Sequence, residues 1–469
     1  MKRLVTLAFA AAMTLSLSAP AKALDVKVSG TWELGMGWAD NIGFTDAKQG
    51  QHTDAFTAKQ RIRPQFEFIA DETLRAVLAL ESEIRWGAVD EGGGLDADQG
   101  TFVVRRAYLD WSPVDKLSLR MGMQGIALPS ATFGSPILDT NAAGVIASYQ
   151  FTDNVALTAF WVRAFDKEYY GDDQTDGKNL RDELDLFGMV LPITGEGFSV
   201  TPWVMYARNG GDSAYWNYRA DDDDYVNDNG PWKGNTNLWF AGAAFELNIL
   251  DPFSFKLDAM YGAAKGDDAP EYAGWLVSAL FEYKSGAAWG NPGLIGWYAS
   301  GDDDDDYKDG DYGKYGRMPI ISNDEAGFAP AGFGFPGSMG CMDDGLITNS
   351  GVGTWGVGLQ LDEISFMDKL SHTLRAVYVR GTNDADIIKK SGASRDDVPF
   401  AIMGESVYLT DKDWAFEVDF VSAYEFSENL TIYLETNWVK LDLDSNTWGS
   451  KDSKTTDAWK AQLLFEYSF

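Results

Sequence analysis

Apolar and polar residues alternate along this chain with a period of two, the spacing that sends successive side chains to opposite faces of a β-strand. Val26, Val28, Trp32, Leu34, Met36 and Trp38 share one face, against Lys27, Ser29, Thr31 and Glu33. The pattern returns in Trp239, Ala241, Ala243, Phe245, Leu247 and Ile249, in Trp275, Val277, Ala279, Phe281 and Tyr283, and in Trp414, Phe416, Val418 and Phe420. Such segments run about 9–14 residues, long enough to cross a bilayer as tilted strands. Aromatic residues stand near one or both ends, where a membrane-interface girdle would sit.

The connections are of two kinds that alternate. Short ones carry turn residues: Asp71-Glu72, Pro113 to Lys116, Asp153-Asn154, Gly195-Glu196, Asp251-Pro252 and Glu428-Asn429, with slightly longer ones at Ser285 to Asn291 and Ser365 to Lys369. Long ones are polar, glycine-rich and acidic, near 39–54, 87–100, 126–141, 166–180, 209–236, 265–271, 300–352, 382–411 and 442–456. The expectation is an all-β fold, a transmembrane antiparallel β-barrel of 18 strands with short periplasmic turns and long extracellular loops. Segments 117–125 and 290–299 are the weakest strands, and without them the count is 16. A soluble sandwich or propeller would show shorter strands and turns of similar length at both ends.

Lys2 and Arg3, the apolar run Leu4 to Leu17, and Ala21-Lys22-Ala23 form the pattern of a cleaved signal peptide over 1–23, leaving 24–469 as one barrel domain. The whole chain carries 71 Asp plus Glu against 38 Lys plus Arg, a formal charge of −33 that excludes nucleic acid as a partner. The lone Cys341 excludes an internal disulfide framework, and the two histidines, His52 and His372, leave little for histidine-based catalysis.

In the last strand Trp459, Ala461, Leu463, Phe465, Tyr467 and Phe469 share a face, opposite Lys460, Gln462, Glu466 and Ser468. This ending resembles the assembly signal of outer-membrane barrels, which implies Phe465, Tyr467 and Phe469 as the residues read by the barrel-assembly machinery. With Val28-Ser-Gly-Thr-Trp-Glu-Leu-Gly35, Arg105-Arg-Ala-Tyr-Leu-Asp-Trp111 and Leu119-Arg-Met-Gly-Met-Gln124, the mature chain resembles a Gram-negative general porin, most closely the homotrimeric porins of sulfate-reducing bacteria. The resemblance implies a homotrimer and a third long loop, 126–141, folded into the barrel as its constriction. That loop lacks the acidic Pro-Glu-Phe-Gly-type motif of enterobacterial porins, and Asp139 is its only carboxylate.

A pore selects by its diameter and by the charges along its wall. Alternation sends Phe56, Ala58, Ile62, Pro64, Phe66 and Phe68 to lipid and Lys59, Arg61, Arg63, Gln65 and Glu67 to the lumen. Leu74, Ala76, Leu78, Leu80, Ile84 and Trp86 then face out and Arg75, Glu81, Glu83 and Arg85 face in, joined by Arg106, Asp110 and Arg120 from the next two strands. Two readings stand side by side: a basic cluster that favours anions, or a wall ladder neutralised by Glu81 and Glu83. Arg105 and Arg106, being adjacent, are expected on opposite faces, one of them outward.

The acid runs Asp221 to Asp224 and Asp302 to Asp306, with Asp309 and Asp311, have no EF-hand spacing. They are expected as solvated loops, bridged at most to lipopolysaccharide by loosely held divalent cations; no cofactor is implied. His372 and His52 have no nucleophile elbow near them, so no enzymatic reading arises. The expected function is passive diffusion of small hydrophilic solutes and ions through an outer-membrane porin. The alternatives are a substrate-specific anion or sugar channel and, from another class, an adhesin or structural barrel.

Overall fold

The computed structural model describes residues 25–41, 55–90, 92–96, 100–166, 183–210, 235–266, 271–303, 314–322, 327–331, 351–391, 408–448 and 456–469. The signal-peptide segment, His52, Cys341 and Asp221 to Asp224 lie outside these residues.

Eighteen strands cross between the two ends of a barrel. The first seven are β1 (Asp25–Asp40), β2 (Ala55–Asp71), β3 (Leu74–Arg85), β4 (Val103–Val114), β5 (Leu117–Ala127), β6 (Asp139–Thr152) and β7 (Val155–Phe165). β8 runs Leu184–Val190 and resumes at Ile193–Gly195. Then come β9 (Phe198–Asn209), β10 (Thr236–Leu247), β11 (Phe253–Gly266), β12 (Glu271–Tyr283) and β13 (Asn291–Ala299). The last five are β14 (Thr354–Met367), β15 (Leu370–Gly381), β16 (Trp414–Ser427), β17 (Leu430–Asp442) and β18 (Thr456–Ser468). The two weak segments are true strands, β5 and β13, so the count of 18 holds and that of 16 does not. The turn expected at 365–369 is shorter, because β14 runs on to Met367 through two register shifts.

Each strand pairs antiparallel with its neighbours in the chain, and β18 returns to pair with β1 from Thr31↔Ser468 to Asp40↔Trp459. Gly30 and Phe469 exchange both backbone hydrogen bonds, at 2.9 and 3.0 Å. Closure matters because an open sheet edge in hydrocarbon would leave backbone N–H and C=O groups unsatisfied.

The outward face is exposed and apolar, and its aromatic residues form two bands. At the long-loop end Trp38 packs on Phe56, Tyr206 on Trp239, Trp275 on Tyr298 and Tyr378 on Trp414. At the short-turn end the pairs are Tyr149 with Phe151, Phe253 with Phe281, and Tyr467 with Phe469. Rings with polar edges favour the headgroup level, so the bands mark the two interfaces.

The inward face is split. On β8 to β16, towards the loop end, it is apolar: Leu186, Met205, Leu276, Ile295, Val377 and Val379 are all buried there. Loop residues Ile137, Leu138, Met318, Ile321 and Phe328 pack into the same cluster from inside the barrel. Burying a side chain of this size contributes about 1.5–3 kcal/mol, so the loops are seated on the wall as a core. On β1 to β5 the inward face is charged.

Alternation fails at one place. Between β3 and β4 the register passes from Ala79↔Arg106 to Leu80↔Val104, and Arg105 is the extra residue of a bulge. Arg105 therefore reaches the inward Glu81, at 3.5 Å, where strict alternation would have sent one of the two arginines to lipid. Arg106 turns to Asn141 Oδ1 at 2.7 Å and lies over Gly125.

Candidate solute pathway

The charged wall is a ladder of ion pairs running the height of β1 to β5. Nearest the long loops, Lys59 Nζ lies 2.9 Å from Glu83 Oε1, with Arg85 opposite Lys59 in register. Below them Arg61 Nε donates to Glu33 Oε2 on β1 at 2.6 Å, and Arg63 donates to Glu81. Nearest the short turns Arg75 bridges Glu67 and Asp110 at 3.1 and 2.9 Å, and Arg120 grips the same Asp110 at 2.6 and 2.9 Å. Arg61 and Glu83 are register partners, yet Arg61 bonds Glu33, its register partner on β1, and Glu83 bonds Lys59. The neutralisation is thus shared among five carboxylates, Glu33, Glu67 and Asp110 joining the expected Glu81 and Glu83.

Exposure separates this wall from the rest of the interior. The side chains of Arg75, Arg120 and Glu83 are 42%, 38% and 39% exposed, whereas those of Arg375 and Asp419 across the barrel are 4% and 0%. Part of the ladder of β2 to β5 is therefore open to the lumen.

Facing it is the 126–141 loop, which rises between β5 and β6 and crosses the interior to β11. There Ser130 Oγ, Ala131 N and Thr132 N donate to the carboxylate of Asp258 at 2.7, 2.7 and 2.9 Å, and Thr132 Oγ1 donates as well. Thr132 Oγ1 also meets Ser278 Oγ of β12 at 2.7 Å. The acid that the loop meets comes from the far wall. Asp139 takes part through its backbone, donating N–H to Ser322 O at 2.7 Å.

A second loop, after β13, folds in beside it. Ile321 N and Ser322 N donate to Ile137 O at 2.9 and 3.1 Å, and Ala329 N donates to Phe133 O at 3.1 Å. Gly134 has φ +98°, and a Cβ there would stand 2.0 Å from Gly327 O, so the two loops touch backbone to backbone. Arg375 Nη1 on β15 donates to Ala329 O at 3.3 Å, while its other nitrogens bind Asp419, which also accepts from Asn437. Sequence reasoning missed Asp258 and Arg375. The available signal was weak: Arg375 is followed on its inward face by Val377 and Val379, while Asp258 shares its face with Lys256.

One further expectation changes. Asp302, placed in a solvated acid run, is buried and paired with Arg317 at 3.1 Å. His372 bonds Ser422 Oγ at 2.6 Å and stacks on Phe420. Among the described residues no third group orients the imidazole, and the ladder commits the neighbouring strand N–H groups; each polar group satisfies the other on the outward face.

An eighteen-stranded barrel with inward loops and a charged wall has the fold of an outer-membrane porin. No protein-family model matches the chain, and neither does any curated protein. Solved structures do: Pseudomonas aeruginosa OpdQ at 14% identity and TM-score 0.52, over 95% of this chain and 98% of that one. P. aeruginosa OpdK, solved with vanillate, is similar at 11% identity and TM-score 0.53, over 95% and 98%. Acinetobacter baumannii OccAB3 is similar at 12% identity and TM-score 0.53, over 94% and 99%. At such identities the likeness is one of fold.

Proposed function

We propose that this chain is a channel of the bacterial outer membrane through which small hydrophilic solutes and ions diffuse passively, selective enough to favour some over others. What carries the proposal is the pair of inward loops, joined to each other and seated on the apolar wall, which leaves one charged wall wet. Diameter and wall charge are the two levers of pore selectivity, and that arrangement sets both. Rungs in which carboxylates share arginines can exchange a partner for the charged group of a passing solute. This suits a substrate-selective channel better than a wide general porin.

An adhesive or structural barrel has no need of a loop pinned across its lumen. The proposal includes a homotrimer like the porins of sulfate-reducing bacteria that the sequence resembles, contacts with lipid and lipopolysaccharide, and assembly after loss of a signal peptide. Purified protein in a planar bilayer tests it. Ohmic steps are expected, in threes for a trimer, with conductance falling saturably on adding a preferred solute; vanillate, which OpdK was solved with, is the first probe. Absence of conductance would reject the channel.

A further inference from the structure

We infer that Asp258 is a positioning residue for solute selection: without touching the solute, its carboxylate holds the tip of the 126–141 loop on β11 and so sets the width of the passage beside the charged wall. The inference rests on the channel proposal above.

The loop is rooted between β5 and β6, and β11 lies far around the wall, so the tip can reach it only through the interior. At its base Ile137 and Leu138 are fully buried, which gives firm but non-directional anchoring. The tip, Ser130 to Thr132, is small and only partly buried, and depends on directed bonds instead. Asp258 supplies them. A carboxylate only accepts, and four donors converge on this one: the hydroxyls of Ser130 and Thr132 and the N–H groups of Ala131 and Thr132. It is 1% exposed, so solute in the wet half of the lumen does not reach it. The neighbouring loop has its own catch of opposite sign, Arg375 on Ala329 O. The two loops are joined at 137–139 with 321–322, so together they make a strut fixed at β11 and β15. Its distance from β2 to β5 is the aperture.

Asp258→Asn keeps the shape but turns an N–H₂ group towards converging donors, so at least one bond is lost and one donor opposes another. The barrel should still form, seen as unchanged heat-modifiable migration. The flux of a bulky sugar relative to a small one, measured by liposome swelling, should rise several-fold. Ser130→Ala with Thr132→Val, which removes the hydroxyl donors from the loop side, should act in the same direction. A third variant adds Thr132→Cys and Ser278→Cys to Asp258→Asn, with Cys341→Ser removing the native thiol. Oxidation should restore the wild-type size ratio and dithiothreitol should abolish it again. A folded Asp258→Asn channel with the wild-type ratio, or a cross-link that changes nothing, would overturn the inference. If the unaltered protein conducts nothing, the channel proposal fails. If it conducts with a size limit that none of these changes moves, only the role of Asp258 fails.

Discussion

The guanidinium of Arg120 lies 4.3 Å from the ring centroid of Tyr108 while holding both oxygens of Asp110, which Arg75 also holds. One carboxylate thus serves two arginines at the short-turn end of the wall, where Glu67, also held by Arg75, supplies the second negative charge. Replacing Arg61, Arg63 and Arg120 by Gln strips three rungs of their cations and leaves Glu33, Glu81 and Asp110 short of one each. The reversal potential in a salt gradient should move towards cation preference, the more so at low ionic strength, where screening is weak. An unmoved potential would mean that ions do not pass along this wall.

At the long-loop end of the barrel, Asp302 and Arg317 form a buried pair with the guanidinium 5.5 and 5.1 Å from the rings of Tyr272 and Tyr315. Burial, the largest single influence, would lower the pKa of Arg317, but Asp302 together with Tyr272 and Tyr408 outweighs it, so the proton is held more tightly than in a free arginine. Because the folded value is raised, this contribution is complete below the ordinary arginine range of about 12 and is lost only above it. Packing of the outer loops should therefore be insensitive to Arg317 titration from acid to moderately alkaline pH. Arg317→Gln leaves Asp302 buried without its cation, at a cost of about 3–5 kcal/mol. Faster cleavage of the outer loops by external protease, with the strands intact, is the expected result.

Gly134→Ala places a methyl group against Gly327 O and forces alanine into a left-handed backbone. The two inward loops should separate locally while the catch at Asp258 stays intact. Single-channel recordings should show added open-state noise, with only a modest change in mean conductance. A silent substitution would mean that the loops are held by their wall contacts alone.

Removing Phe469 deletes its paired backbone bonds to Gly30 and the ring stacked with Tyr467. The yield of folded barrel in the outer membrane should fall, and the folded fraction should unfold at a lower temperature in the heat-modifiability assay. Phe469→Trp keeps both the bonds and an aromatic ring, and should restore most of the yield.

Alternation alone located the strands, because a wall one residue thick obliges every second side chain to face lipid. Even the inward residues of β2 and β3 were legible, from Lys59 to Glu67 and from Arg75 to Arg85. Arg105 was not, since a bulge adds a residue without leaving a compositional mark. The choice of partners was hidden too: Arg61 passes over its register neighbour Glu83 for Glu33 on the other side. Hardest to see was Asp258. Its importance depends on a loop rooted more than a hundred residues earlier, and no local pattern records such a meeting.

The seam between β1 and β18 joins residues more than four hundred positions apart. Pairing that distant is slow to find, and the entropy of bringing the ends together grows with the intervening length. Until it forms, every intermediate carries two unpaired edges able to recruit another chain. Closure is consequently the step on which commitment hangs: up to that moment the molecule is an open sheet at risk of aggregation, and afterwards it has no edge left to lose.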